Sequence, residues 1–212
     1  MNKLIDHTYL APDCTGAIVD RICKEAITHD FHAVCLPPLF INQAAKALAG
    51  TGVKLASVIA FPYGYAETAV KVQEIRRAMD EGADELDIVI NLSAVKSQDW
   101  AYVTQDITSV ATTARLKSKV CKIIIEITEL TEAERDQIVR ICNDIKPTFV
   151  KTSTGTRGGA TVDDVSYLRT NLHPDIKIKA SGGIRTKQAA AALVEAGADR
   201  IGTSSGLAII KG

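Results

Sequence analysis

The sequence predicts an α/β protein: a compact (β/α)8 TIM barrel with a truncated last helix, residues 1–212 forming a single domain. Three observations predict it. Short apolar runs alternate with longer amphipathic segments, a weak internal echo recurs at two helix-to-strand junctions, and no linker or low-complexity stretch divides the chain. Strands alternating with helices imply parallel pairing through right-handed crossovers. Eight consecutive units suit a closed barrel better than an open doubly wound sheet.

The strand-like runs fall at residues 4–6, 33–36, 55–60, 85–91, 122–127, 148–152, 176–181 and 200–203. Several are rich in Val and Ile, which fit a pleated, buried surface. The first helical stripe is Ile18, Val19, Ile22, Cys23, Ala26 and Ile27, and the second is Ile41, Ala44, Ala45 and Leu48 before Gly50. Val72, Ile75 and Met79 mark a third helix, and Val103, Ile107, Val110 and Ala114 a fourth. Thr131-Glu132-Ala133-Glu134 reads as a capping box that opens a fifth, with Ile138, Ile141, Cys142 and Ile145 inward. Val162, Val165 and Leu168 mark a sixth; Ala190, Leu193 and Val194 mark a seventh. The echo pairs Glu81-Gly82-Ala83-Asp84 with Glu195-Ala196-Gly197-Ala198-Asp199. Divided among eight units, 212 residues give about 26 each, which is compact against the ~250 of a typical barrel. Only residues 204–212 follow the last strand, so the eighth helix is expected to be a stub, with a thin wall or a partner subunit beside it.

Charge and composition exclude several functions. The chain has 25 Lys+Arg and 25 Asp+Glu, so no global field holds nucleic acid or an acidic membrane. Five cysteines, with no C-x-x-C pair, indicate neither a disulfide framework nor a zinc site. No apolar run approaches the ~20 residues that cross a bilayer, and the start MNKLIDHTYL has no apolar signal core. The expectation is a cytoplasmic protein without membrane or nucleic-acid partners. No P-loop or G-x-G-x-x-G is present; His7 and His173 lack ligand-spaced neighbours, and His29-x-x-His32 suits a turn. No metal or cofactor is therefore expected.

Reactive groups of such barrels sit at the C-terminal ends of strands. Those positions carry Asp6, Cys35, Asp87, Glu126, Lys151, Lys179 and Ser204. Two lysines within apolar strands are the anomaly. Alternation puts Lys151 on one face with Phe149, and Lys179 opposite the aliphatic face of Ile176, Ile178 and Ala180. If the aliphatic faces pack on helices, both lysines point into the barrel, where neighbouring cations and desolvation should depress their pKa values. A neutral lysine is a nucleophile for carbonyl carbon, and an inward Asp87 could relay protons. A structural Lys–Asp–Lys network without turnover fits the same spacing. Gly155, Gly182, Gly183, Gly202 and the Ser204-Ser205 pair fall in loops where barrels bind phosphate, although each glycine could simply make a turn. Cys35 by default is a small buried hydrophobe, and Glu126 could orient a pocket group or serve the polar rim.

The segments Ile5-Asp6-His7-Thr8, Ala33-Val34-Cys35-Leu36-Pro37, Gly82-Ala83-Asp84-Glu85-Leu86-Asp87, Val150-Lys151-Thr152-Ser153-Thr154-Gly155, Lys179-Ala180-Ser181-Gly182-Gly183-Ile184-Arg185-Thr186 and Gly202-Thr203-Ser204-Ser205 together resemble the deoxyribose-phosphate aldolase family. The resemblance spans nearly the whole chain. It implies a metal-free class I aldolase that reversibly cleaves 2-deoxy-D-ribose 5-phosphate to D-glyceraldehyde 3-phosphate and acetaldehyde. Lys151 then matches the Schiff-base lysine, Lys179 the second lysine that lowers the first one's pKa, and Asp87 the acid/base carboxylate. Asp6 and Thr8 match the substrate-binding segment near the start of the chain, Asp6 within a hydroxyl network, and Cys35 matches a residue near the pocket. Gly155, Gly182, Gly183, Gly202, Ser204 and Ser205 match phosphate-holding positions. The small phosphorylated sugar is thus the expected partner, with a homodimer as the family's assembly. Where some members have a lysine after Ser-Thr-Gly, this chain has Thr156 and then Arg157, a candidate replacement cation. Some members end in a tyrosine that assists proton transfer; this chain ends Ile209-Ile210-Lys211-Gly212, so transfer is expected to rely on Asp87 and water.

Overall fold

Eight β-branched runs pair side by side in chain order and close on themselves in the structure, a computed structural model in which residues 1–211 are described. The strands are β1 (Ile5–Thr8), β2 (Ala33–Leu36), β3 (Lys54–Ile59), β4 (Glu85–Val89), β5 (Val120–Ile124), β6 (Phe149–Lys151), β7 (Lys177–Ser181) and β8 (Arg200–Thr203). All neighbours run parallel, and β8 returns to β1 with Ile5 opposite Ile201 and Asp6 opposite Gly202.

Helices cover the outside: α1 (Gly16–Thr28), α2 (Ile41–Leu48), α3 (Thr68–Asp80), α4 (Leu92–Lys96), α5 (Trp100–Arg115), α6 (Glu132–Ile145), α7 (Val162–Asn171), α8 (Lys187–Glu195) and α9 (Gly206–Lys211). The capping box predicted at Thr131 is formed with Glu134. The expected stub is α9, six residues long, and its Ile209 is fully buried against the barrel. No helix of the described residues is long and apolar enough to cross a membrane.

Strand boundaries differ from the sequence expectation for local reasons. The run expected over 85–91 ends at Val89 because Asn91 caps α4, its side chain accepting from Ala94 N at 3.2 Å; α4 itself carried no legible stripe. The run expected over 122–127 ends at Ile124, since Glu126 turns into the left-handed region at φ +50°. Likewise Ala60, expected to end the third strand, has φ +52° and lies beyond Ile59. At the first strand the ladder covers Ile5–Thr8 rather than 4–6.

Alternation divides the core in two. Outward residues such as Ile5, Val34, Leu55, Leu86, Ile88, Ile123, Val150, Ile178 and Ile201 pack with the helices in one continuous apolar layer. Inside the ring, β2 and β3 contribute a small apolar cluster of Cys35, Ala56 and Val58, with Leu10 and Phe61 against it. The interior also holds a set of buried charges, Asp6, Glu85, Asp87, Lys122, Lys151, Lys179 and Arg200, with the buried Phe149 ring beneath the Arg200 guanidinium.

The turn after β3 is held where no side chain fits. Gly64 has φ +71°, and a Cβ there would lie 1.8 Å from the Ile90 carbonyl oxygen. Gly64→Ala is therefore expected to cost about 3 kcal/mol or more in urea unfolding. Gly52→Ala, with nothing within 4 Å, should stay within about 0.5 kcal/mol of the parent. Equal losses for the two variants would contradict this reading.

Candidate active site

The interior charges converge on Asp87. It lies in β4, fully buried; its Oδ1 accepts from Lys122 Nζ at 2.7 Å, and its Oδ2 from Lys151 Nζ and Lys179 Nζ at 2.8 Å each. Two nitrogens that share one oxygen cannot be further apart than twice that distance. The sheet register brings them together, with Asp87 opposite Lys122 on β5 and Lys151 opposite Lys179 on β6 and β7.

A second set of contacts lies around the first. Lys122 also reaches Glu85 at 2.6 Å, and Lys179 reaches Asp6 at 2.5 Å. Arg200 donates to Asp6 at 2.8 Å and to Glu85 at 3.4 Å, while His32 meets Glu85 at 3.3 Å. Gly202 makes room for this packing, because a Cβ there would sit 2.9 Å from Lys179 Cε.

Burial alone would raise the Asp87 pKa. The ammonium groups of Lys122, Lys151 and Lys179 outweigh it and hold the carboxyl well below its usual range. Asp6 and Glu85 are also lowered, against burial, by the cations around them. Burial pulls Lys122 and Lys179 down, but their carboxylate partners win and both are raised above the ordinary lysine value. For Lys179 this corrects the expected depression: it lies between Asp87 and Asp6, and the two carboxylates outweigh its burial.

Above the network opens a cavity of about 500 Å3 at the C-terminal ends of the strands. Of the lysines in the network, Lys151 borders it. Thr8, Gly155, Gly182, Gly183, Gly202 and Ser204 line it as well. The loops after β6 and β7 are stitched together beside it: Ser181 N donates to Thr152 Oγ1 at 3.1 Å, and Ser181 Oγ to the Ser153 carbonyl at 2.6 Å.

Other candidates lie elsewhere. Asp6 is fully buried and engaged by Lys179 and Arg200 in the charge network rather than on the cavity wall. Cys35 is fully buried in the apolar cluster of β2 and β3, where burial and the nearby Asp87 charge push its thiol up. Ser205 is outside the lining, and its N–H donates to Thr203 Oγ1 at 2.9 Å. The Glu126 carboxylate engages Thr154. Arg157 is turned aside to Glu129, at 3.3 Å, and lies over the Tyr63 ring; Arg185 is the arginine on the cavity wall. Sequence reasoning missed Lys122, Glu85, Arg200 and Arg185 as site residues. Lys122 carried the same signal as Lys151, a cation within the apolar run Val120–Ile124.

A family model described as DeoC/LacD family aldolase matches residues 1–212. The chain belongs to this aldolase family. It is 47% identical to the deoxyribose-phosphate aldolase of Thermococcus gammatolerans, over 99% of this chain and 95% of that one. It is 44% identical to that of Brevibacillus brevis, over 100% and 96%. Among solved structures, the tetrameric deoxyribose phosphate aldolase of Aeropyrum pernix superposes with a TM-score of 0.92 at 32% identity, covering 99% of this chain and 89% of that one. The closed barrel described above is thus shared with a solved aldolase of this kind.

The buried network makes a prediction about acid stability. Glu85 is held below its ordinary value of 4.5, so its contribution is present above that pH and is lost as the pH falls through its lowered value. Glu85→Gln should cost about 3 kcal/mol at neutral pH by leaving Lys122 and Arg200 less compensated. Its stability should also fall less steeply than the parent's below about pH 4.5, which denaturant titrations at a series of pH values would read. Parallel acid profiles would contradict the assigned role.

Proposed function

We propose that the whole chain is one catalytic unit that cleaves 2-deoxy-D-ribose 5-phosphate to D-glyceraldehyde 3-phosphate and acetaldehyde through a Schiff base on Lys151. The observation that carries the assignment is that Lys151 joins the cavity wall to the charge network. Four cations (Lys122, Lys151, Lys179, Arg200) face three carboxylates (Asp6, Glu85, Asp87), so the interior balances when one amine gives up its proton. Lys122 has three carboxylates within reach and Lys179 has two; Lys151 has Asp87.

Neutral Lys151 attacks the aldehyde of the open-chain sugar, and loss of water gives an iminium that draws electrons from the breaking carbon–carbon bond. The proton of the third-carbon hydroxyl must leave at that moment. A carboxylate held as firmly as Asp87 is a poor base by itself. We therefore assign the relay to Asp87 and Lys179 with water, since their shared hydrogen bond lets one proton depart as another arrives. The enamine is then protonated and hydrolysed to release acetaldehyde. Gly155, Gly182, Gly183, Gly202 and Ser204 offer the phosphate a backbone-lined cradle, with Arg185 as local cation.

The relatives named above for deoxyribose phosphate support this substrate. The cytoplasm is the compartment we propose, and five free thiols suit its reducing conditions. A homo-oligomer is proposed as the working assembly, with a dimer as its smallest form.

Borohydride reduction in the presence of acetaldehyde, followed by peptide mass mapping, tests the assignment. The expected adduct is on Lys151 and disappears in Lys151→Ala. Labelling that moves to Lys179 would reverse the roles of the two lysines.

A further inference from the structure

Glu126 is a buried acid that the mechanism does not use. It follows β5 with φ +50° and ψ +58°, a conformation that a side-chain-bearing residue adopts only when its surroundings fix it. The ladder to β6 runs on either side of this turn: Ile125 N donates to the Lys151 carbonyl at 3.0 Å, and Ile127 N to the Thr152 carbonyl at 2.9 Å. The backbone is thus pinned before and after Glu126, and its carboxylate is aimed beneath the loop that follows Lys151.

The hydrogen-bond partners of that carboxylate, among the described residues, all belong to Thr154. Thr154 N donates to Oε1 at 3.2 Å and to Oε2 at 3.3 Å, and Thr154 Oγ1 donates to Oε2 at 2.5 Å. The connection continues outward, because Thr156 N donates to Thr154 Oγ1 at 3.2 Å and the two threonine hydroxyls are 2.8 Å apart. Thr154, Gly155 and Thr156 form one side of the cavity. A fully buried carboxylate is costly to keep, and here it is held by charge-assisted bonds to one loop residue. Lys151 has its own support in Asp87, so removal of Glu126 should disturb the loop more than the amine.

We propose that Glu126 is a positioning residue for phosphate selectivity, fixing the 154–156 segment in the shape that receives the phosphorylated end of the sugar. This rests on the function proposed for the cavity. Its test compares 2-deoxyribose 5-phosphate with unphosphorylated 2-deoxyribose as substrates of Glu126→Ala and Glu126→Gln. In E126A the KM for the phosphorylated sugar should rise about tenfold or more with kcat within about threefold, while kcat/KM for 2-deoxyribose stays within about twofold. E126Q retains one acceptor oxygen and should fall between E126A and the parent. If E126A does not fold, E126Q decides the matter, and a KM rise confined to the phosphorylated sugar supports the proposal. Equal losses on both substrates, or no change on either, overturn it. Borohydride trapping with acetaldehyde separates the two levels of inference. Failure of the parent protein to form the Lys151 adduct defeats the reading of the site, whereas normal trapping without a phosphate-specific change defeats the role of Glu126 alone.

Discussion

Asp87 is the point on which the interior depends. A carboxylate inside a closed ring of strands would normally be driven toward its neutral form, and so would each of the lysines around it. Together they reverse that tendency: Asp87 is lowered, and Lys122 and Lys179 are raised. Removing any one member leaves its partners less compensated for their burial. The ring of Asp6, Glu85, Lys122 and Arg200 therefore belongs to the same arrangement as Lys151 at the cavity wall, although those residues lie on β1, β4, β5 and β8.

The barrel separates its two tasks by depth. Opposite charges are paired in the interior, where strand register sets the spacing of side chains, with Lys151 opposite Lys179 and Asp6 opposite Gly202. The recognition proposed for the phosphate lies higher, in loops rich in glycine and hydroxyl groups after β6, β7 and β8. Lys151 ends β6 and so joins the two levels. The apolar patch of Cys35, Ala56 and Val58 fills the β2–β3 side of the interior, leaving the charged groups to the remaining strands.

Much of this was legible in the sequence. Parallel pairing and closure follow from the alternation, and Lys151, Lys179 and Asp87 meet as their places in apolar strands implied. Lys122 escaped because it stood first in its expected run, where a cation reads as a flanking residue; the true strand begins at Val120, which puts Lys122 inside. Glu85 and Arg200 escaped in the same way, as strand-opening charges. The direction of the lysine shifts was not legible either. It depends on how many carboxylates reach each amine, and Asp6 meets Lys179 only across the closed barrel, from β1 to β7. Nothing in the residue order separates Arg157 from Arg185 as the local cation; loop conformation ties one to Glu129 and leaves the other on the cavity wall.

The measurement that bears most directly on the charge network is a pH titration of lysine side chains by NMR in protein labelled at the lysine ε-carbon. Resonances of Lys122 and Lys179, assigned from single substitutions, should keep ammonium shifts as the pH is raised past the ordinary lysine value of 10.5. Deprotonation of either below that value would contradict the claim that three carboxylates hold these lysines charged inside the barrel.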